Sequence, residues 1–131
     1  ISDAGQEGPE RQPMSSGHFT NADVDTIESL VEIPCIGKER LAVQFVVGTA
    51  NLSDFQVDGK VADDMGYSTL ASATGDFTTP VLPIIKASSD LNAAASGSTV
   101  HWLIIDCRGF HTIRLQAAGT SSTVTGAWTA I

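Results

Sequence analysis

"TVHWLIIDC", residues 99–107, "TIRLQAA", residues 112–118, and "STVTGAWTA", residues 122–130, decide the fold of this chain. The first is almost continuously apolar, the texture of a strand buried on both faces. The second alternates, with Ile113, Leu115 and Ala117 on one side. In the third, Val124, Gly126 and Trp128 oppose Thr123, Thr125 and Ala127. With glycine-containing breaks between them, the three read as successive antiparallel strands.

Upstream the same grammar continues. "RLAVQFVV", residues 40–47, puts Leu41, Val43, Phe45 and Val47 on one face and Arg40, Ala42 and Gln44 on the other. "ESLVEIPCI", residues 28–36, is a strand that Pro34 confines to an edge or a bulge. In "DFQVDGKVA", residues 54–62, the Asp58-Gly59 pair predicts a turn, because glycine accepts positive φ at no steric cost. "YSTLASA", residues 67–73, and "TPVLPIIKAS", residues 79–88, are further extended pieces. Pro80 and Pro83 keep the second out of a sheet centre. Only "SSDLNAAASG", residues 88–97, suits a helical turn. About eight strands with turn signals every ten residues or so predict an all-β fold, an antiparallel β-sandwich or jelly roll.

Residues 1–22 carry Gly5, Gly8, Pro9, Pro13 and Gly17 and show no apolar period, which predicts an extended N-terminal arm ahead of a β-sandwich domain over residues 23–131. Such an arm reaches up to roughly 70 Å. Its acidity is marked: residues 1–28 hold six acids against Arg11, in a chain of 131 residues and net charge −8. Seven scattered basic residues do not make a phosphate-binding surface, so no direct nucleic-acid partner is expected. No apolar run approaches the roughly 18 residues that cross a bilayer, and "ISDAGQEGPERQP" lacks the pattern of a signal peptide, so no membrane partner is expected either.

A faint echo links "IPCIGKERLAVQ", residues 33–44, to "IDCRGFHTIRLQ", residues 105–116, with Ile, Cys, Gly and Gln repeated in register. Two readings stand: a generic strand, glycine turn and strand met twice by chance, or two related hairpins, one in each sheet of a sandwich. Under both, Gly37 and Gly109 form turns that other residues resist. Cys35 and Cys107 are expected as small apolar plugs with free thiols in a reducing compartment, the alternative being a disulfide between them, which needs Cα atoms within about 7 Å.

Catalytic constellations are missing from the pattern. Of the three histidines, His18, His101 and His111, the last two could face one another on neighbouring strands, but a two-histidine metal site wants a third ligand and none is spaced for it. Asp54, Asp58, Asp63 and Asp64 gather near the predicted turn without the spacing of a calcium loop. No nucleophile elbow, phosphate loop or dinucleotide fingerprint is present, so neither an enzyme nor a cofactor is expected. Trp102 and Trp128 sit in apolar or alternating strands and read as core, leaving little for a sugar platform with Tyr67.

An acidic, small, all-β chain with an extended arm and strands of the form "GFHTIRLQAAGTSSTVTGAWTA", residues 109–130, resembles the small structural proteins of tailed-phage virions, particularly capsid cement or decoration proteins of β-sandwich or jelly-roll fold. The resemblance spans residues 100–131 and, more weakly, 33–60. It implies a protein assembled in the host cytoplasm that sits on the outer surface of the virion capsid. There it would bridge neighbouring major capsid protein subunits, itself as a homo-oligomer, a dimer or trimer. In that role Pro9, Pro13, Met14, His18 and Phe19 of the arm would anchor in a neighbour's grooves. The competing reading is a carbohydrate-binding or host-recognition β-sandwich module of a tail fibre or baseplate, which predicts exposed aromatic residues around a shallow groove.

Overall fold

The computed structural model describes residues 15–48, 50–73, 77, 82–88 and 100–131, and these contain nine strands and no helix. In chain order they are β1 (Ser15–Val24), β2 (Glu28–Pro34), β3 (Arg40–Gly48), β4 (Leu52–Lys60), β5 (Ser68–Ser72), β6 (Ile84–Ala87), β7 (Val100–Asp106), β8 (Thr112–Gly119) and β9 (Ser122–Ala130). A five-stranded sheet runs β1-β9-β3-β7-β6 and a four-stranded sheet β2-β8-β4-β5, with every pairing antiparallel. The expected β-sandwich is the architecture found.

Alternation does what the sequence promised. Strand β3 buries Leu41, Val43, Phe45 and Val47, while β8 buries Ile113, Leu115 and Ala117, and the two inner faces meet as one core. Phe45 of the five-stranded sheet stacks on Phe55 of the other at 5.2 Å and 21° between planes. Phe55 in turn meets Phe77 at 5.6 Å. Each such ring pair contributes about 0.5–1.5 kcal/mol beyond burial. Pro34 ends an edge strand, and Pro83 immediately precedes β6, the other sheet's edge.

Four expectations are corrected. Strands β7, β8 and β9 are not neighbours: β7 pairs with β3 and β6, β8 with β2 and β4, and β9 with β1 and β3. The turns between them carry the chain across the core from one sheet to the other. Likewise the echoed segments are not hairpins. Each crosses between sheets, β2 to β3 in one copy and β7 to β8 in the other, through Gly37 (φ 75°) and Gly109 (φ 87°).

Asp58 and Gly59 lie within β4, opposite Arg114 and Ile113 of β8, and the chain turns beyond Lys60. Gly59 is needed there for close approach: a Cβ would stand 2.8 Å from Leu70 and 2.9 Å from Phe110. Finally, the arm expected over residues 1–22 overlaps β1. From Ser15 onward the chain is an edge strand on β9, held by Phe19 and Val24 in the core. Residues 89–97 of the expected helical turn lie outside the described residues.

Candidate interaction surfaces

The two sheets present very different outer faces. On the five-stranded sheet, the middle outward positions of the three central strands are Thr125, Ala127 and Thr129 of β9, Ala42, Gln44 and Val46 of β3, and Val100, Trp102 and Ile104 of β7. None is charged. Arg40, Asp106 and Lys86 stand at the rim and on the edge strand. Two shallow hollows mark the face. One of about 220 Å³ lies between Ala42, Gln44, Ala127 and Thr129, and one of about 260 Å³ between His18, Val46, Val100 and Thr125. Charge depletion over a flat patch is what the centre of a protein interface looks like before its partner arrives.

The outer face of the four-stranded sheet is a lattice of polar groups already committed to one another. Asp58, 1% exposed, accepts from Arg114 Nη2 at 2.9 Å and Nε at 3.1 Å. Its other oxygen accepts from Gln56 Nε2 at 3.0 Å, and the same amide reaches Gln116 Oε1 at 2.9 Å. The Arg114 guanidinium also lies 3.9 Å from the centre of the Tyr67 ring, whose hydroxyl donates to Glu32 at 3.1 Å. Burial, then the hydrogen bond to Glu32, pushes that hydroxyl up to about 12. Cross-strand register explains the assembly, because Glu32, Arg114 and Asp58 are aligned on β2, β8 and β4. An uncompensated buried Asp58 would be costly; paired, it fixes the register of this sheet.

The candidate residues are scattered. Pro9, Pro13 and Met14 lie outside the described residues. His18 is exposed on the outer face of β1, but Phe19, 8% exposed, packs inward over Gly126 and is not available to a neighbour's groove. His101 and His111 do not face one another: His101 is buried against Phe45 at 5.3 Å, and His111 sits in the turn after β7 with its Nδ1 2.7 Å from Thr112 Oγ1. Asp54 and Asp58 belong to β4, Asp63 and Asp64 to the loop after it. Among the described residues no group of three His, Cys, Asp or Glu side chains is placed to hold a metal ion.

The aromatics also divide. Trp128 packs against the core as expected, over Gly17. Trp102 corrects the expectation of core, being half-buried on the outer face because its register partner Gln44 points outward. Tyr67 covers the other sheet, so the three rings share no surface.

The uncharged face is signalled in the sequence by the almost continuously apolar run Val100–Ile105, whose texture equally suits a strand covered on both sides.

The fold defines the protein as a two-sheet antiparallel β-sandwich. No family model and no curated protein sequence matches the chain. Among solved structures it is similar to the SPBc2 prophage-derived protein YomS, with a TM-score of 0.56 and 11% identity over 92% of this chain and 96% of that one. It is similar also to the PBSX exported protein XepA, with a TM-score of 0.56 and 18% identity over 98% of this chain but 45% of XepA. At these identities the likeness is one of fold.

Proposed function

We propose that this chain is a phage structural protein that works by docking the uncharged outer face of its five-stranded sheet onto other subunits, as a capsid cement or decoration protein binding the outside of the capsid between major capsid subunits. The observation that carries the reading is the absence of charge from the nine central outward positions of that sheet, in a chain with 15 acidic residues. A solvated sheet face ordinarily alternates toward charged and polar side chains; one that does not is kept for contact. The shared fold with a prophage-derived protein is consistent with a phage source. Self-association through the same face would make the cement a homo-oligomer, and its place would be the virion surface.

The test is sedimentation of the purified protein with assembled heads of the phage that encodes it. Ala42→Glu and Val100→Glu together place two charges on exposed positions and leave the core untouched. The native chain is expected to co-sediment with heads and the double variant to remain in the supernatant with unchanged circular dichroism. Absence of co-sedimentation by the native chain would reject the cement role.

A further inference from the structure

We infer that Cys35 and Cys107 are a convertible dithiol, free under reducing conditions and closed by a low-molecular-weight disulfide such as oxidised glutathione into a single bond that ties the two sheets together. This concerns the core and is independent of the sheet face above.

The crossovers assemble the pair. Cys35 follows β2 of the four-stranded sheet by one residue, and Cys107 follows β7 of the five-stranded sheet by one residue. From each cysteine the chain leaves for the other sheet through a tight turn, closed by Lys38 N donating to Cys35 O and by Phe110 N donating to Cys107 O. Where each turn lands it meets the other cysteine: Cys35 N donates to His111 O and Cys107 N to Glu39 O. Four backbone bonds thus close residues 35–39 and 107–111 into one small ring, with a cysteine at each of two opposite corners.

Both side chains turn inward from that ring, 1% and 0% exposed, and both belong to the core. They meet there, for the Cys107 thiol acts on Cys35 both as a charge and as a hydrogen-bond partner. Both are free thiols in this structure. Among the described residues no third His, Cys, Asp or Glu joins them in a metal-binding group, so the chemistry open to the pair is that of two thiols.

The conversion is a pair of thiol–disulfide exchanges. One cysteine, as its thiolate, attacks a sulfur of oxidised glutathione; the glutathione S–S bond breaks, and the departing sulfur takes up the proton the cysteine gave up. The second cysteine then attacks the protein sulfur of the mixed disulfide, and a second glutathione leaves with the second proton. Two cysteines have lost two electrons to one glutathione disulfide, which becomes two thiols. Burial sets the pace: thiols that solvent does not reach exchange only while the chain folds or when a crossover opens. The finished bond is equally hard to reduce.

Its effect follows from its place. The bond encloses residues 35–107, with β3 to β7 inside the loop, and a link across so long a loop removes much of the freedom of the unfolded chain. A protein folded in a reducing compartment would thereby harden on passing to an oxidising one.

The test uses the unaltered chain. Refolding from urea into glutathione buffers of stepped reduced-to-oxidised ratio, then acid quenching, alkylation and mass measurement, gives the ratio of disulfide to dithiol; the same buffers with urea retained give it for the unfolded chain. The native fold should raise that ratio by about a hundredfold or more, in a monomer lighter by two hydrogens. By linkage the same factor favours folding of the oxidised chain, whose urea midpoint should exceed that of the reduced one. A ratio no higher than in the unfolded chain overturns the inference, as does an oxidised protein no more resistant to urea than the reduced, or a bond that joins two chains in place of closing within one. Head co-sedimentation is read separately with the Ala42→Glu, Val100→Glu protein, so either proposal can fail alone.

Discussion

Cys35 and Cys107 occupy equivalent places about an approximate two-fold axis. Cys35 N donates to His111 O at 2.9 Å and Cys107 N to Glu39 O at 3.1 Å; Lys38 N donates to Cys35 O at 2.9 Å and Phe110 N to Cys107 O at 3.1 Å. Adding 72 to 35, 38 and 39 gives 107, 110 and 111, so each bond maps onto another. The strand pairs obey the same operation: Ile33 stands opposite Ile113 on β8, and Leu41 opposite Ile105 on β7. The repeated sequence thus encodes two matching crossovers that stitch the sheets together, with both thiols at their junction.

Matching crossovers should respond alike to the same insult. Gly37 and Gly109 have φ of 75° and 87°, and nothing lies within 4 Å of a Cβ added at either. Alanine therefore costs only backbone strain, about 1–2 kcal/mol at each position. Gly126→Ala is different in kind, since its Cβ would stand 2.7 Å from the Gln44 carbonyl as well as against the Phe19 ring. Urea denaturation should show the first two variants equal within about 0.5 kcal/mol and the third clearly worse, by about 3 kcal/mol. Unequal costs at Gly37 and Gly109 would argue that the two crossovers do not carry the same load.

Burial also governs the thiols. Desolvation first, then the neighbouring Cys107, pushes the Cys35 thiol up to about 12, and burial raises Cys107 as well. Neither should react with an aromatic disulfide reagent at pH 8 until the protein unfolds. Because the folded-state value of Cys35 is raised, its contribution to stability is complete below about pH 9 and is lost as pH rises toward 12. Rapid labelling of native protein at pH 8 would contradict this placement.

Strands with one wet and one dry face were plain in the sequence, and β3 and β8 are placed as their alternation requires. The N-terminal strand was not. In "SSGHFTNADV" only Phe19 and Val24 reach the core, too sparse a pattern to set a period, and so an edge strand read as an arm. Asp58-Gly59 misled for a second reason. The dipeptide that ordinarily turns a hairpin is held straight by partners more than 50 positions away, Arg114 on one face and Phe110 on the other. Trp102 and its neighbours show the limit most clearly: an apolar run does not reveal whether its second face meets the core or a missing partner.

The Asp58–Arg114 pair should be asymmetric under mutation. Arg114→Met leaves a carboxylate that is 1% exposed with only the Gln56 amide for company. Asp58→Asn leaves a guanidinium whose side chain is 23% exposed and still lies on Tyr67. A buried unpaired charge costs about 3–5 kcal/mol, so Arg114→Met should approach that range, with Asp58→Asn about half as costly. Chemical denaturation at pH 7 reads both. A double variant clearly less destabilised than Arg114→Met would confirm that the energy lies in stranding Asp58, and equal single costs would contradict the asymmetry.

At the rim, Arg108 grips Asp106 through two side-chain bonds, Nη2 to Oδ2 at 2.7 Å and Nε to Oδ1 at 2.9 Å, and a third from its own amide at 3.2 Å. The side-chain bonds first, and the amide second, lower the Asp106 carboxyl from 3.8 to about 2. A lowered folded-state value makes the contribution of the pair complete above about pH 4 and lost as pH falls toward 2. In the native chain the Asp106 carboxyl carbon should accordingly titrate near 2 by NMR, whereas in Arg108→Gln it should move up toward the ordinary carboxylate range. The stabilities of the two proteins should then differ at pH 5 and converge on acidification. The same midpoint for Asp106 in both would mean that the crossover's backbone, and not the guanidinium, sets its acidity.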